Sequence, residues 1–313
     1  MHAIVGTIPD QDFPLVTGEV SLRDNGIYIQ GRHVPVSRGT SALLAAAIKA
    51  GDFQGQPAPY GYLVGDIGLG VGSRRLCDYL AEHLGKSDFR TITFHYLQPN
   101  VRWHNRVLSV VERMTKRPIL IADAGSMYAA KMSGKAAAYD LFTPDIGELA
   151  FLADEQAPHP LYTRGFILHE EVRVPELITR SYTHNNAARH LLVKGERDYV
   201  ANEKGIEATI DHPLVEAMEA IGGTGDTLTG IVAALIAASM EISEAATVAA
   251  RANRLAGYYA KPTAATQVAE MVSYIPGALE EILAENKKGE AKRVAEMGEK
   301  PTIRLTETVH GAG

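Results

Sequence analysis

Cysteine is almost missing from this chain of 313 residues, Cys77 being the only one. No intrachain disulfide can form, and a reducing cytoplasm is the expected compartment. Charge of one sign is missing too. Lys and Arg number 31 against 37 Asp and Glu, for a net charge of −6, which leaves no electrostatic footprint for nucleic acid or an anionic membrane. The longest apolar run, Ile231 to Met240, is far short of the ~20 residues that span a bilayer. Met1-His2-Ala3-Ile4-Val5-Gly6 lacks the basic and apolar regions of a signal peptide. HExxH and CxxC spacings are absent, and no internal repeat is visible. What remains is ordinary globular composition, 46% hydrophobic and 22% charged.

The most informative stretch present is Gly222-Gly223-Thr224-Gly225-Asp226. After it, Leu228, Ile231, Val232, Leu235 and Ile236 recur at helical spacing, so a buried helix begins where the glycines end. A helix start collects unpaired N–H groups and the positive end of the dipole, and glycine lets an anion come close. Beside an anion, the Asp226 carboxylate is better suited to taking a proton from an attacking hydroxyl than to binding the anion. The plainer alternative is a glycine-rich turn whose aspartate complements the dipole.

In chain order, Val20 to Val36 is expected to form a small β meander, cornered at Asp24-Asn25-Gly26 and Gly31. Ser37-Arg38-Gly39-Thr40-Ser41 opens an alanine-rich helix, Ala42 to Ala50, which Gly51 should end and whose small side chains suit packing against a sheet. A strand at Tyr62 to Asp66, the turn Ile67 to Gly72 and a helix from Ser73 to Leu84 make one βα unit. Its third glycine is misplaced for a dinucleotide fingerprint, leaving a phosphate or substrate turn. A strand over Thr91 to Tyr96 and a helix over Arg102 to Met114 follow. The strand Pro118 to Ala122 ends at Asp123, on the edge where open α/β sheets hold ligands, although a turn aspartate fits as well.

If Pro144 opens the next helix, Asp145 and Glu148 share a face of its first turn. They could then organise a hydrated magnesium ion or simply complement the dipole. Ala157 to Val174 reads as an insertion or lid-like loop, and Pro175 to Ala188 as a helix. The strand after it ends in Lys194, which can meet a phosphate as a point charge. Asp198 to Ile210 is an expected hairpin, Glu244 to Tyr259 and Ala264 to Leu283 expected helices. Glu285 to Gly313 is polar, either a loose tail or an arm to a neighbouring subunit. None of the eleven histidines is marked by its spacing.

Alternating strands and helices point to a doubly wound, mostly parallel α/β sheet. The order Gly68-Leu69-Gly70, Asp123, Thr143-Pro144-Asp145-Ile146-Gly147-Glu148, Val193-Lys194-Gly195, Gly222 to Asp226, and Ile275-Pro276-Gly277-Ala278-Leu279 resembles the ribokinase-like superfamily. Within it the likeness is to the nucleotide-dependent NAD(P)H-hydrate dehydratases, often described as carbohydrate kinases, over residues 38 to 284. The resemblance implies a three-layer ribokinase-like catalytic domain, 1–284, with a small N-terminal β appendage and a C-terminal tail or arm, 285–313. It implies Asp226 as the base, with Gly223, Thr224 and Gly225 forming an anion hole. Lys194, Gly195 and Gly222 would lie along the nucleotide, Gly68, Gly70 and Asp123 would face the substrate, and Glu148 with Asp145 would serve magnesium. ATP or ADP and Mg2+ are the implied cofactors, and a small molecule the other partner. No nucleic acid or membrane is implied, and a homo-oligomer is left open.

Three stretches depart from the dehydratase pattern. His212 to Ala220 replaces an asparagine- and glycine-rich run before the glycine motif. Asp145-Ile146 stands for a histidine-proline, leaning towards the N-x-x-E of sugar kinases, and Asp123-Ala124-Gly125-Ser126 only faintly echoes a D-A-D-A-L-N turn. The expectation is therefore a kinase acting on a small-molecule hydroxyl. The alternatives are NAD(P)H-hydrate dehydration and a non-catalytic nucleotide-binding relative.

Overall fold

The computed structural model describes residues 1–160, 174–263 and 265–298. Its centre is a strand the sequence patterning did not single out, β1 (His2–Ile8), which is buried along its whole length. Ala3 and Val5 enter one core while Ile4 and Ile8 enter the other, because successive strand side chains alternate between faces and this sheet is covered on both. Around it run β2 (Val16–Glu19), β6 (Tyr60–Gly65), β7 (Thr91–His95), β8 (Ile119–Ala122), β9 (Leu141–Phe142), β10 (His190–Val193), β11 (Asp198–Asn202) and β12 (Gly205–Ile210). The sheet order is β12-β11-β10-β9-β8-β7-β1-β6-β2. The six strands from β10 to β6 are parallel, while β2 and the β11–β12 hairpin close the edges antiparallel. The expected small appendage is a separate three-stranded sheet, β3 (Ser21–Arg23), β4 (Gly26–Ile29) and β5 (Arg32–Pro35). Its first corner holds Asp24 and Asn25 at φ 45° and 57°, the left-handed pair that a tight hairpin requires.

Helices α2 (Val71–His83), α3 (Val101–Glu112), α4 (Gly125–Met132), α5 (Ile146–Ala153) and α6 (Val174–Thr183) cover one face. Helices α1 (Thr40–Phe53), α7 (Thr224–Ala237), α8 (Ile242–Ala260), α9 (Val268–Val272) and α10 (Ile275–Gly298) cover the other. The result is the three-layer, doubly wound architecture.

Several local expectations shift for physical reasons. Helix α1 runs through Gly51, and the left-handed residue that follows its end is Gly55, φ 65°. Its small face packs mainly on α7 rather than on the sheet. At Gly230 a Cβ would stand 2.2 Å from the carbonyl oxygen of Leu43 and 3.0 Å from Ala46, so two helices meet there backbone to backbone. Helix α5 starts at Ile146 and not at Pro144, because Asp145 caps it. The expected helix over Ala264 to Leu283 is two helices, broken at Ser273-Tyr274. Pro276 lacks the N–H a continuing helix needs and sits instead in the first turn of α10. Helix α10 carries on past residue 284 to Gly298. Most of the expected lid, residues 161–173, lies outside the described residues, as do residues 299–313.

Candidate active site

Four neighbouring parallel strands each deliver one polar side chain at their carboxyl ends. His95 is the last residue of β7, Asp123 follows β8, Thr143 follows β9 and Lys194 follows β10. This is the edge where doubly wound sheets place ligands. Facing it is the start of α7, whose N-cap Gly223 has φ 103°, a conformation open to glycine but strained for other residues. The N–H groups of Thr224, Gly225 and Asp226 have no carbonyl ahead of them in the helix. Asp123, Lys194 and the start of α7 line a pocket of about 620 Å³, with His95 and Thr143 buried behind the lining.

Asp226 is buried, yet its carboxylate is held below the usual range. Burial alone would raise it. The hydrogen bond from His95, the charge of Lys194 and the Gly39 N–H overcome that. The Gly39 N–H donates to Oδ2 at 2.6 Å, and His95 Nε2 lies 3.0 Å from Oδ1. Asp226 thus sits in the first turn of its own helix and also receives an N–H from the start of α1. Both helix starts favour its negative form.

Asp123, 2% exposed, is clamped by Lys194 Nζ at 3.0 and 2.9 Å, the Thr229 hydroxyl at 2.6 Å and the Ala124 N–H at 2.8 Å. Burial works against the Lys194 ammonium, but Asp123 and Glu148 more than compensate and raise its pKa above the ordinary value. The Lys194 stem passes over Gly225, where a Cβ would lie 3.7 Å from Nζ, so the ammonium stands beside the glycine motif. His95, Asp123 and Asp226 have potential ligand atoms within 4.8 Å of one another. All three are already satisfied by protein partners.

Asp145 and Glu148 form a capping box: Glu148 N–H donates to Asp145 Oδ1 at 2.7 Å and Asp145 N–H to Glu148 Oε2 at 2.8 Å. One oxygen of each is used in this way, and both residues still line the pocket. Burial, then Asp123, pushes the Glu148 carboxyl up to about 8, with Lys194 opposing and Asp145 adding to the rise. That concentration of negative charge suits a cation.

Of the site residues expected from sequence, Asp226, Gly223, Thr224, Gly225, Lys194, Gly195, Asp123, Asp145 and Glu148 all line this pocket. Gly222 lies just outside the lining, packed near the Arg38 side chain. Gly68 and Gly70 do not line it. Their N–H groups donate to Asp66, which also accepts from the Ser73 N–H and hydroxyl, so an internal carboxylate takes the amides a phosphate would have used. Burial raises the Asp66 pKa, but those four bonds together hold it below normal. The sequence reading passed over His95, Gly39, Thr229 and Arg254. Arg254 donates to Asp198 at 2.7 Å and to the Gly195 and Glu196 carbonyls, fixing the turn after Lys194. The only local signal for His95 was its place at a strand end, the same one that drew attention to Asp123.

A doubly wound sheet with an acid, a lysine and a glycine-led helix start at its carboxyl edge defines the ribokinase-like class. The family model for NAD(P)H-hydrate dehydratase matches residues 98–276, more than half of the chain, and the protein belongs to that enzyme family. An uncharacterized protein of Methanocaldococcus jannaschii is 43% identical over 220 residues, 70% of this chain and 90% of its own. The bifunctional NAD(P)H-hydrate repair enzyme Nnr of Pyrobaculum aerophilum is 28% identical over 151 residues, 48% of this chain and 27% of that enzyme. Among solved structures, a ribokinase-like superfamily protein of Enterococcus faecalis aligns with TM-score 0.55 at 15% identity, covering 90% of this chain and 86% of its own. The ADP/ATP-dependent NAD(P)H-hydrate dehydratase of Bacillus subtilis, co-crystallized with ATP/Mg2+, aligns with TM-score 0.53 at 14% identity, covering 90% and 89%. At such identities the structural likeness speaks for the fold alone.

Proposed function

We propose that the protein is a nucleotide-dependent NAD(P)H-hydrate dehydratase, using ATP or ADP to return hydrated NADH or NADPH to the dinucleotide. Family membership favours this over the sugar-kinase reading that the departures in sequence had suggested. The observation that carries the chemistry is Asp226, an ionised carboxylate fixed through both oxygens at the glycine-led start of α7. The hydrate hydroxyl attacks the terminal phosphoryl group while Asp226 accepts its proton. The base can be weak, because charge neutralisation and alignment do most of the work in phosphoryl transfer. The first-turn amides of α7 and the Lys194 ammonium stabilise the charge on the phosphoryl oxygens. The C–O bond of the new ester then breaks, phosphate leaves with the bonding pair, and the adjacent carbon gives up its proton to the departing phosphate as the ring double bond forms.

Glu148, with Asp145, would hold Mg2+ near the nucleotide phosphates, where the ion would neutralise their charge. A cytoplasmic setting, in keeping with the lone buried Cys77, belongs to the same proposal. Among the described residues no helix is long and apolar enough to cross a membrane.

The test incubates the protein with Mg-ATP and then Mg-ADP against hydrated NADH and a panel of sugars and vitamin alcohols. Loss of hydrated NADH supports the proposal. Phosphorylation of another acceptor instead selects the kinase, and nucleotide binding without turnover selects a non-catalytic relative. Asp226→Asn is expected to lower turnover by at least ~100-fold with nucleotide affinity unchanged, the scale of a lost general base. Unchanged turnover would remove Asp226 from the mechanism.

A further inference from the structure

His95 is fully buried, and its ring lies between two oxygens contributed by different helices: Nε2 is 3.0 Å from Asp226 Oδ1, and Nδ1 is 3.0 Å from Thr40 Oγ1. An ionised carboxylate only accepts, so Nε2 carries a hydrogen. In the neutral ring Nδ1 then holds its lone pair towards Thr40, whose hydroxyl has no other hydrogen-bond partner among the described residues. The Thr40 hydroxyl can donate to that lone pair, so Asp226 on one side and Thr40 on the other together hold the Nε2–H tautomer.

The surroundings are built around this contact. A Cβ on Gly6 would stand 2.5 Å from Thr40 Oγ1 and 3.0 Å from the His95 carbonyl oxygen, so β1 has no side chain where Thr40 reaches the ring. The Tyr96 ring meets the His95 ring edge-on at 4.4 Å, from a backbone in the left-handed region (φ 51°) whose carbonyl accepts from the Thr7 hydroxyl at 2.8 Å. A non-glycine residue in that conformation is strained and persists only where its neighbours enforce it.

We propose that Thr40 and His95 form a positioning dyad for Asp226, in which the Thr40 hydroxyl locks the His95 tautomer that presents Nε2–H to Asp226 Oδ1. With the Gly39 N–H on the other oxygen, the carboxylate is held with its remaining lone pairs towards the pocket. Neither Thr40 nor His95 lines the pocket, so both act through Asp226. The inference rests on the reading of Asp226 as the base. It explains why the residue pair Gly39-Thr40 at the start of α1 is joined to the glycine motif of α7, 187 positions away in sequence. The other groups facing the dyad are Asp123, whose Oδ2 is 3.9 Å from His95 Nε2, Tyr96, and Lys194 beside Asp123.

The experiment compares the full chain with Thr40→Val, which keeps the shape and loses the hydroxyl, and with Thr40→Ser, which keeps the hydroxyl. Two readouts are taken: NMR of the histidine ring nitrogens, with the His95 signals assigned from their disappearance in His95→Gln, and turnover against pH. The expected wild-type spectrum shows His95 protonated at Nε2. Thr40→Val should mix the tautomers and lower kcat by about 10- to 100-fold, within the range spanned by acid–base positioning. KM for nucleotide should stay within about twofold, since the loss is confined to the transition state. The acid limb of kcat should move to higher pH, because Asp226 loses a hydrogen bond that favours its ionised form. Thr40→Ser should restore all three.

A wild-type spectrum with hydrogen on Nδ1 alone, wild-type kcat in Thr40→Val, or equal loss in both variants would overturn the proposal. If the wild type turns over neither hydrated NADH nor any other hydroxyl acceptor, the functional reading fails. The tautomer spectra of the three proteins still decide the positioning claim in that case.

Discussion

Replacing Lys194 by methionine removes the charge beneath the pocket while keeping most of the stem that crosses Gly225. The Lys194 side chain is 13% exposed and Asp123 2%, with the closest N–O distance 2.9 Å. At that distance, and at an effective dielectric constant of ~20, the attraction is about 6 kcal/mol, of which desolvation of the two ions offsets much. The variant does not recover that desolvation for Asp123, which stays buried with, among the described residues, the Thr229 hydroxyl, the Ala124 N–H and the more distant His95 for company. Breaking a buried pair from one side costs about 3–5 kcal/mol, and that is the loss expected in urea unfolding of Lys194→Met. Asp123→Asn in the same background removes the stranded charge and should return at least about half of the loss, as buried pairs replaced on both sides are often near neutral. The cycle of four proteins isolates the coupling. A Lys194→Met protein within about 1 kcal/mol of wild type, or a double variant no more stable than the single one, would refute the reasoning.

The start of α5 and the α1–α7 contact give two further tests. Glu148 has its pKa raised to about 8 by burial, then by Asp123 and Asp145 against Lys194. For a raised group the stability contribution is whole below the ordinary value of 4.5 and is lost as pH rises towards about 8. Glu148→Gln should therefore flatten the fall in unfolding free energy across that window, and an unchanged slope would argue against the assignment. Gly230→Val would press a Cβ to within 2.2 Å of the Leu43 carbonyl oxygen, so α1 and α7 must separate. A loss of about 3 kcal/mol or more is expected by chemical denaturation, the upper range for overpacking, and a variant as stable as wild type would show that the helices can slide apart freely.

What could be foreseen from sequence was whatever is local. The glycine motif announced α7 because helical periodicity follows it at once, and Lys194 and Asp123 were visible as polar residues ending apolar runs. The hairpin corner at Asp24-Asn25 declared itself by residue type. The partnerships were hidden. Asp226 meets Gly39 across 187 positions and His95 across 131, and no periodicity reports a contact of that separation. Asp145 and Glu148 show the converse case. Three-residue spacing made them look like a metal pair or a helix-start pair, and the capping box shows that they are at least the latter. In the turn Ile67 to Gly72 the residue type was right for an anion, but Asp66 supplies the anion from within.

The stretch that departs most from the dehydratase pattern, His212 to Ala220, bears on the choice between a dinucleotide and a sugar. Pro213, Leu214, Val215 and Met218 line the pocket, with Glu219 the one charged residue among them, and Leu214 is 51% exposed. Met218 is anchored against α8, where its sulfur fills the space in front of Gly257, so this wall has a fixed attachment to the core. Tyr96 adds an exposed ring elsewhere on the lining. A sugar presents hydroxyls around its whole rim, and a site that selects it must answer them with hydrogen-bonding side chains, because unpaired polar groups on either partner lose affinity. Leucine, valine and methionine here offer an apolar face to a ring, while Asp145, Glu148, Asp198, Asn253 and Arg254 elsewhere on the lining can answer hydroxyls and phosphates. The altered stretch is thus compatible with the nicotinamide hydrate proposed above, and its departure from the family pattern does not by itself argue for a sugar kinase.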